Sequence, residues 1–111
     1  MTQYDMRAKL ITEFIGTFFL TLAICTAAAF GTAGSYAPFA IASTLMVMIY
    51  AGGHVSGAHY NPAVTISIYL RGACDKSEVV PFIASQVVAG VMGAMVASNV
   101  LMPDGEVGPL V

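Results

Sequence analysis

Between Glu13 and Arg71 the chain runs for 57 residues without an Asp, Glu, Lys or Arg, and a second such interval of 25 residues separates Glu78 from Asp104. A membrane-spanning helix needs about 20 predominantly apolar residues. The first interval therefore holds two crossings with residues to spare, and the second holds one. Charged residues make up 9% of the chain, where a soluble domain carries about 25%, and mean hydropathy is +0.81. These values place the chain in a membrane, as an all-α protein.

Glycine and proline divide the apolar sequence into helices. A first helix is expected over about Ala8 to Phe30, ended by Gly31, Gly34 and Ser35. Arg7 and Lys9 before an apolar run suggest a signal peptide, but the run from Phe14 to Phe30 exceeds the roughly 7–15 residues of such a segment. It reads as a retained helix. Pro38 suits the first turn of a second helix, which extends to about Tyr50 or His54. "RGACDKSEVVPF", from Arg71 to Phe82, reads as a surface loop, and a third helix follows from about Glu78 to Leu101. The tail "MPDGEVGPLV" has no apparent fold of its own.

What remains is "GHVSGAHYNPAVT", from Gly53 to Thr65, with two histidines, an asparagine, glycines and a proline at membrane depth. Pro62 fits the first position of a new helix with Asn61 as its N-cap. The apolar run from Ala63 to Leu70 is only about two turns, too short to cross about 30 Å of hydrocarbon. The segment at about 55–70 is therefore expected to be a re-entrant loop and half-helix between three full spans, at about 8–30, 38–54 and 78–101.

Irregular backbone at that depth is tolerated where protein buries it or where it lines a water-filled cavity. A helix that begins near the midplane presents unpartnered N–H groups and a dipole end equivalent to about +0.5 charge. That end repels a cation and accepts a lone pair, and the Asn61 amide adds a donor. The carbonyls of the preceding "SGAH" supply acceptors. Donors at the centre and acceptors along a wall describe a path for a small neutral solute. A kinked helix whose polar residues satisfy one another is the alternative.

Other features have structural readings. Ser85, Ala89, Gly93 and Ala97 recur every four residues, with Gly90 and Ala94 alongside, and so allow close helix packing within or between chains. His54 and His59 are five apart, which is not a helix-face spacing for two metal ligands. They read as structural hydrogen-bonding groups. Cys25 and Cys74 show no metal or disulfide-framework spacing. No basic run points to nucleic acid, and there is no nucleophile–base pair or cofactor motif. An enzyme is not expected, nor is a metal or cofactor.

"SGAHYNPAVT" resembles the first signature segment of the aquaporin and glycerol-facilitator family, the major intrinsic proteins. "EFIGTFFL" from Glu13 to Leu20 and "DKSEVVPFIASQVVAG" from Asp75 to Gly90 resemble the family's flanking helices in the same order and spacing. The resemblance implies a single half-aquaporin domain over 1–111, in an integral, plasma (inner) membrane protein. It implies that Asn61 is the donor at the pore centre, and that Pro62 and Ala63 shape the half-helix start and its contact with a second half-helix. The carbonyls of Gly57, Ala58 and His59 would line the path. Glu13 and Gln86 would brace the re-entrant loop, and Ile41 would occupy the place of an aromatic filter residue.

Two departures from the family pattern matter. A full-length member carries two inverted halves, each with an Asn-Pro-Ala half-helix, and this sequence has one. The second half also carries an arginine directly after its motif, where this chain has Val64. The resemblance thus implies a channel for water and possible small neutral solutes such as glycerol, completed by another half. The expected completion is a second copy in antiparallel orientation, giving a homo-oligomer with an even number of chains. The alternatives are a separate C-terminal half and a non-conducting scaffold. All four cationic residues, Arg7, Lys9, Arg71 and Lys76, fall on one expected side, a bias toward single orientation.

Overall fold

The computed structural model describes residues 4–108. Helix α1 covers Met6–Ile24, and its last turn widens to π geometry over Cys25–Ala29. The Asp5 carboxylate caps α1 by accepting from the Ala8 N–H at 2.9 Å. A 3-10 turn over Gly34–Tyr36 leads to α2, Ala37–Ser56, with Pro38 in its first turn. Helix α3 is the short Pro62–Leu70. Helix α4 covers Lys76–Val96 and also ends in a π turn, Ala97–Leu101. No strand occurs among the described residues.

With their terminal turns, three helices are long and apolar enough to cross a membrane: Met6–Ala29, Gly34–Ser56 and Lys76–Leu101. At 1.5 Å per residue they reach about 35–39 Å, enough for the hydrocarbon layer with some tilt, whereas α3 reaches only about 14 Å. The architecture is thus all-helical, three potential spans with one half-length helix, as half of an aquaporin-type fold requires. The helices extend slightly beyond their expected limits. Helix α2 continues to Ser56, where Gly57 ends it in the left-handed conformation, φ +91°. Helix α4 begins at Lys76 because Asp75 is its N-cap, accepting from the Ser77 N–H. The tail is not independent of the bundle: the Gly108 N–H donates to the Ala29 carbonyl at 2.9 Å.

The distribution of side chains is the reverse of a soluble fold. Glu13, Thr17, Ser56, His59, Thr65 and Gln86 are buried, while Phe39, Val47, Val88, Val91 and Met95 lie exposed on the outer faces. Lipid solvates such faces, and the polar groups must then find their partners inside.

Small residues close the bundle. The α4 stripe packs on α1 within the chain: the Ser85 hydroxyl donates to the Leu10 carbonyl at 2.9 Å, and Ala89 and Ala97 are fully buried. A Cβ at Gly93 would lie 2.8 Å from the Phe18 carbonyl oxygen. Near the first turns of α1 and α4 the Lys9 ammonium pairs with the Glu78 carboxylate and joins the same two helices. Between α1 and α2 sits the Tyr60 ring, and a Cβ at either Gly16 or Gly52 would overlap it.

Candidate functional site: a braced re-entrant loop

Residues 57–61 leave α2 and turn back to start α3. The backbone is strained there, because Ala58 and Tyr60 take φ values of +56° and +57° without being glycine. Such conformations cost about 1–3 kcal/mol each and persist only where the surroundings over-determine them. Here the surroundings converge on one carboxylate.

Glu13, on α1, is fully buried. Its Oε2 accepts from the Ser56 hydroxyl at 2.7 Å and the His59 N–H at 3.0 Å. Its Oε1 accepts from the Tyr60 N–H at 2.7 Å and the Gln86 Nε2–H at 2.8 Å. Four donors and no acceptor surround the group, an environment suited to an acceptor-only carboxylate. Burial of such a group is tolerable only with this degree of hydrogen bonding. Gln86 spends its second amide hydrogen on the Thr65 hydroxyl at 2.9 Å, and Thr65 also meets His59 Nδ1 at 2.9 Å. Helices α1, α3 and α4 are thereby tied to the loop at a single point. The Tyr60 hydroxyl adds α2, donating to the Met48 carbonyl at 2.7 Å.

The loop carries both donors and acceptors without partners. Asn61 caps α3, its Oδ1 accepting from the Ala63 N–H at 2.8 Å. Because an N–H must meet the amide oxygen, the Asn61 nitrogen points the other way, and Asn61 is exposed in the isolated chain. Pro62 contributes no N–H, and the Val64 N–H has no partner among the described residues. The carbonyls of Gly57, Ala58 and His59 likewise accept no hydrogen bond among them. Pro62 is half-buried and Ala63 exposed at the helix tip.

A cavity of about 430 Å³ opens beside this loop, lined by Ser56, Gly57 and His59 and by the Lys9–Glu78 pair, with Cys74 and Asp75 from the α3–α4 connection. Burial pushes the Cys74 thiol up, Glu78 and Asp75 add to the shift, and Lys9 opposes it. At neutral pH it is a protonated thiol and a poor nucleophile. Cys25 and Cys74 are both free and half-buried.

Of the residues expected from the sequence, Glu13, Gln86, Gly57, Ala58, His59, Asn61, Pro62 and Ala63 meet in or beside the loop. Ile41 does not. It lies near the start of α2, fifteen residues before Ser56, about 22 Å along the helix. The two histidines have separate settings: His54 is exposed and packs edge-on to Tyr4, while His59 is buried against Phe82 and Thr65. Sequence reasoning missed Ser56, Tyr60 and Thr65. Thr65, four residues after Asn61 and set in the short apolar helix, was the one with a local signal.

A family model described as "Major intrinsic protein" matches residues 1–109. Aquaporin Z of Photorhabdus laumondii is 38% identical over 110 residues, covering 93% of this chain and 47% of that protein. Aquaporin NIP1-2 of Arabidopsis thaliana is 40% identical over 92 residues, covering 78% of this chain and 31% of that protein. The chain spans less than half the length of both curated relatives. With its braced re-entrant loop between potential spans, it is an integral membrane protein and belongs to the major intrinsic protein family.

Proposed function

We propose that the chain is one half of a passive channel for water and small neutral solutes, a single half-channel unit over 1–111. The observation that carries this reading is the α3 tip, where the Asn61 amide N–H₂ and the Val64 N–H stay free beside a row of unpaired carbonyls. Donors at a positive helix end favour a lone pair and disfavour cations. Asn61, with the carbonyls of Gly57, Ala58 and His59, forms the path; Glu13 and Gln86 hold it in shape.

One half encloses no pore. The second half in this proposal is another copy, inverted in the membrane, so that Pro62 and Ala63 of the two tips meet near the midplane. Two-fold inverted pairs recur in transport proteins, and a two-fold contact needs only one self-complementary surface. A second reading, completion by a separate C-terminal half, is favoured by the one-sided placement of all four cationic residues.

Val64 and Ile41 in place of an arginine and an aromatic ring make the narrowest region wider and less electropositive. The purified chain, reconstituted alone into liposomes, should pass glycerol and urea as well as water in osmotic shrinkage assays. Water flux with glycerol and urea rejected would contradict the open filter. Permeability no greater than that of empty liposomes would contradict the self-completed pore.

A further inference from the structure

We propose that Gln86 and Thr65 fix His59 in its Nε2–H tautomer, making the ring a hydrogen-bond donor toward the cavity beside the loop, where it meets the oxygen of an incoming neutral solute. The chain of reasoning starts at Glu13. Gln86 must turn its Nε2 to the carboxylate, at 2.8 Å, because its carbonyl oxygen there would face another acceptor. The second Nε2 hydrogen then goes to Thr65 Oγ1 at 2.9 Å. Thr65 is fully buried, so its own hydroxyl hydrogen needs an acceptor. His59 Nδ1 stands at 2.9 Å and accepts it only when unprotonated. The reverse tautomer would direct both neighbours' hydrogens at one oxygen and leave the buried hydroxyl hydrogen without a partner.

With Nδ1 occupied, the imidazole proton resides on Nε2. That atom lies over Gly57, 3.3 Å from where a Cβ would stand, and makes no hydrogen bond among the described residues. Both residues line the 430 Å³ cavity. Gly57 is thus needed for more than its φ of +91°: a side chain there would crowd the donor. The cavity gains a donor next to the carbonyl acceptors of the loop, which gives a water or hydroxyl group a partner for its lone pair and one for its hydrogen. Thr65 and Gln86 act as positioning residues, since neither needs to touch the solute.

The tautomer stands on this structure alone, whereas its effect on flux rests on the channel reading, and the two are measured separately. The ¹⁵N spectrum of histidine-labelled full chain in lipid bilayers distinguishes protonated from unprotonated ring nitrogens, with His54→Gln identifying the His59 signals. Wild type should show a protonated Nε2 and an unprotonated Nδ1, and Thr65→Ser should match it. Thr65→Val removes the hydroxyl that donates to Nδ1 and offers no acceptor in its place. The unprotonated Nδ1 signal should then move to the position of a nitrogen without a hydrogen bond, and the unanchored ring should lower water flux about fivefold, the worth of one hydrogen bond. A protonated Nδ1 in wild type overturns the proposal, as does a Thr65→Val spectrum unchanged from wild type. So does loss of the Nδ1 hydrogen bond in Thr65→Val without loss of flux in a conducting protein. If Thr65→Val fails to fold, the wild-type and Thr65→Ser spectra still decide the tautomer. Absence of flux in wild type, with the expected spectrum, would refute the channel reading and leave the tautomer assignment supported.

Discussion

Glu13→Gln should detach the re-entrant loop from the bundle. The substitution changes size little but replaces an acceptor for four donors with a group that brings two hydrogens of its own. At least one of the Ser56, His59, Tyr60 and Gln86 donors must then face an N–H₂. Breaking a buried, charge-assisted network costs about 3–5 kcal/mol. Two strained residues, Ala58 and Tyr60, would lose what holds them in the left-handed region. The expected result is a sharply lower unfolding temperature in detergent, rapid proteolysis within 57–61, and flux at the level of empty liposomes. Gln86→Leu should have a smaller effect of the same kind, because it removes one of the four donors and leaves the other three. Equal stability of Glu13→Gln and wild type would mean that the loop is held by packing around Tyr60 instead.

Asn61→Asp should spare the fold and impair the path. Aspartate caps a helix as well as asparagine does, and its charge suits the positive end of α3, so the bond to the Ala63 N–H survives. What disappears is the outward-facing N–H₂, and what arrives is a negative charge. Water flux should fall about tenfold or more, since the central donor is lost and an ionised carboxylate offers acceptors alone. Cation exclusion should weaken with it. Stopped-flow light scattering and a proton-sensitive dye inside the vesicles measure the two effects. Unchanged flux and leak in a stably folded variant would show that Asn61 does not line the path.

Much of this arrangement was legible in the sequence because membrane burial leaves few explanations for polar residues. The charge-free intervals fixed the number of crossings, and Asn61 followed by Pro62 marked a helix too short to be another. The bracing network was legible only in part. Glu13 and Gln86 stand out as polar residues within apolar runs, and Thr65 is a polar residue in the short apolar helix, but Ser56 looks like an ordinary tolerated hydroxyl until four elements converge on it. Nothing local marks Tyr60, whose left-handed backbone is imposed by Glu13 and whose ring needs the absent side chains of Gly16 and Gly52 on two other helices. The four-residue stripe on α4 announced a close contact but not its partner, since spacing identifies a face and says nothing of what lies opposite. That partner is α1.

The central claim is that a second, inverted copy supplies the missing half. In lipid, a lone α3 tip would leave Asn61 and the Val64 N–H unsatisfied, at several kcal/mol for each group. An inverted copy places an identical tip against it and puts the two N-termini on opposite membrane faces. The direct test uses a cysteine at Tyr4, in a chain with Cys25 and Cys74 replaced, inserted by living cells and recovered in sealed vesicles without detergent. A membrane-impermeant thiol reagent added outside should label about half the copies, consistent with pairs of opposite orientation. Labelling of all copies or of none would establish a single orientation, contradict the antiparallel pair, and leave a separate C-terminal half as the better account.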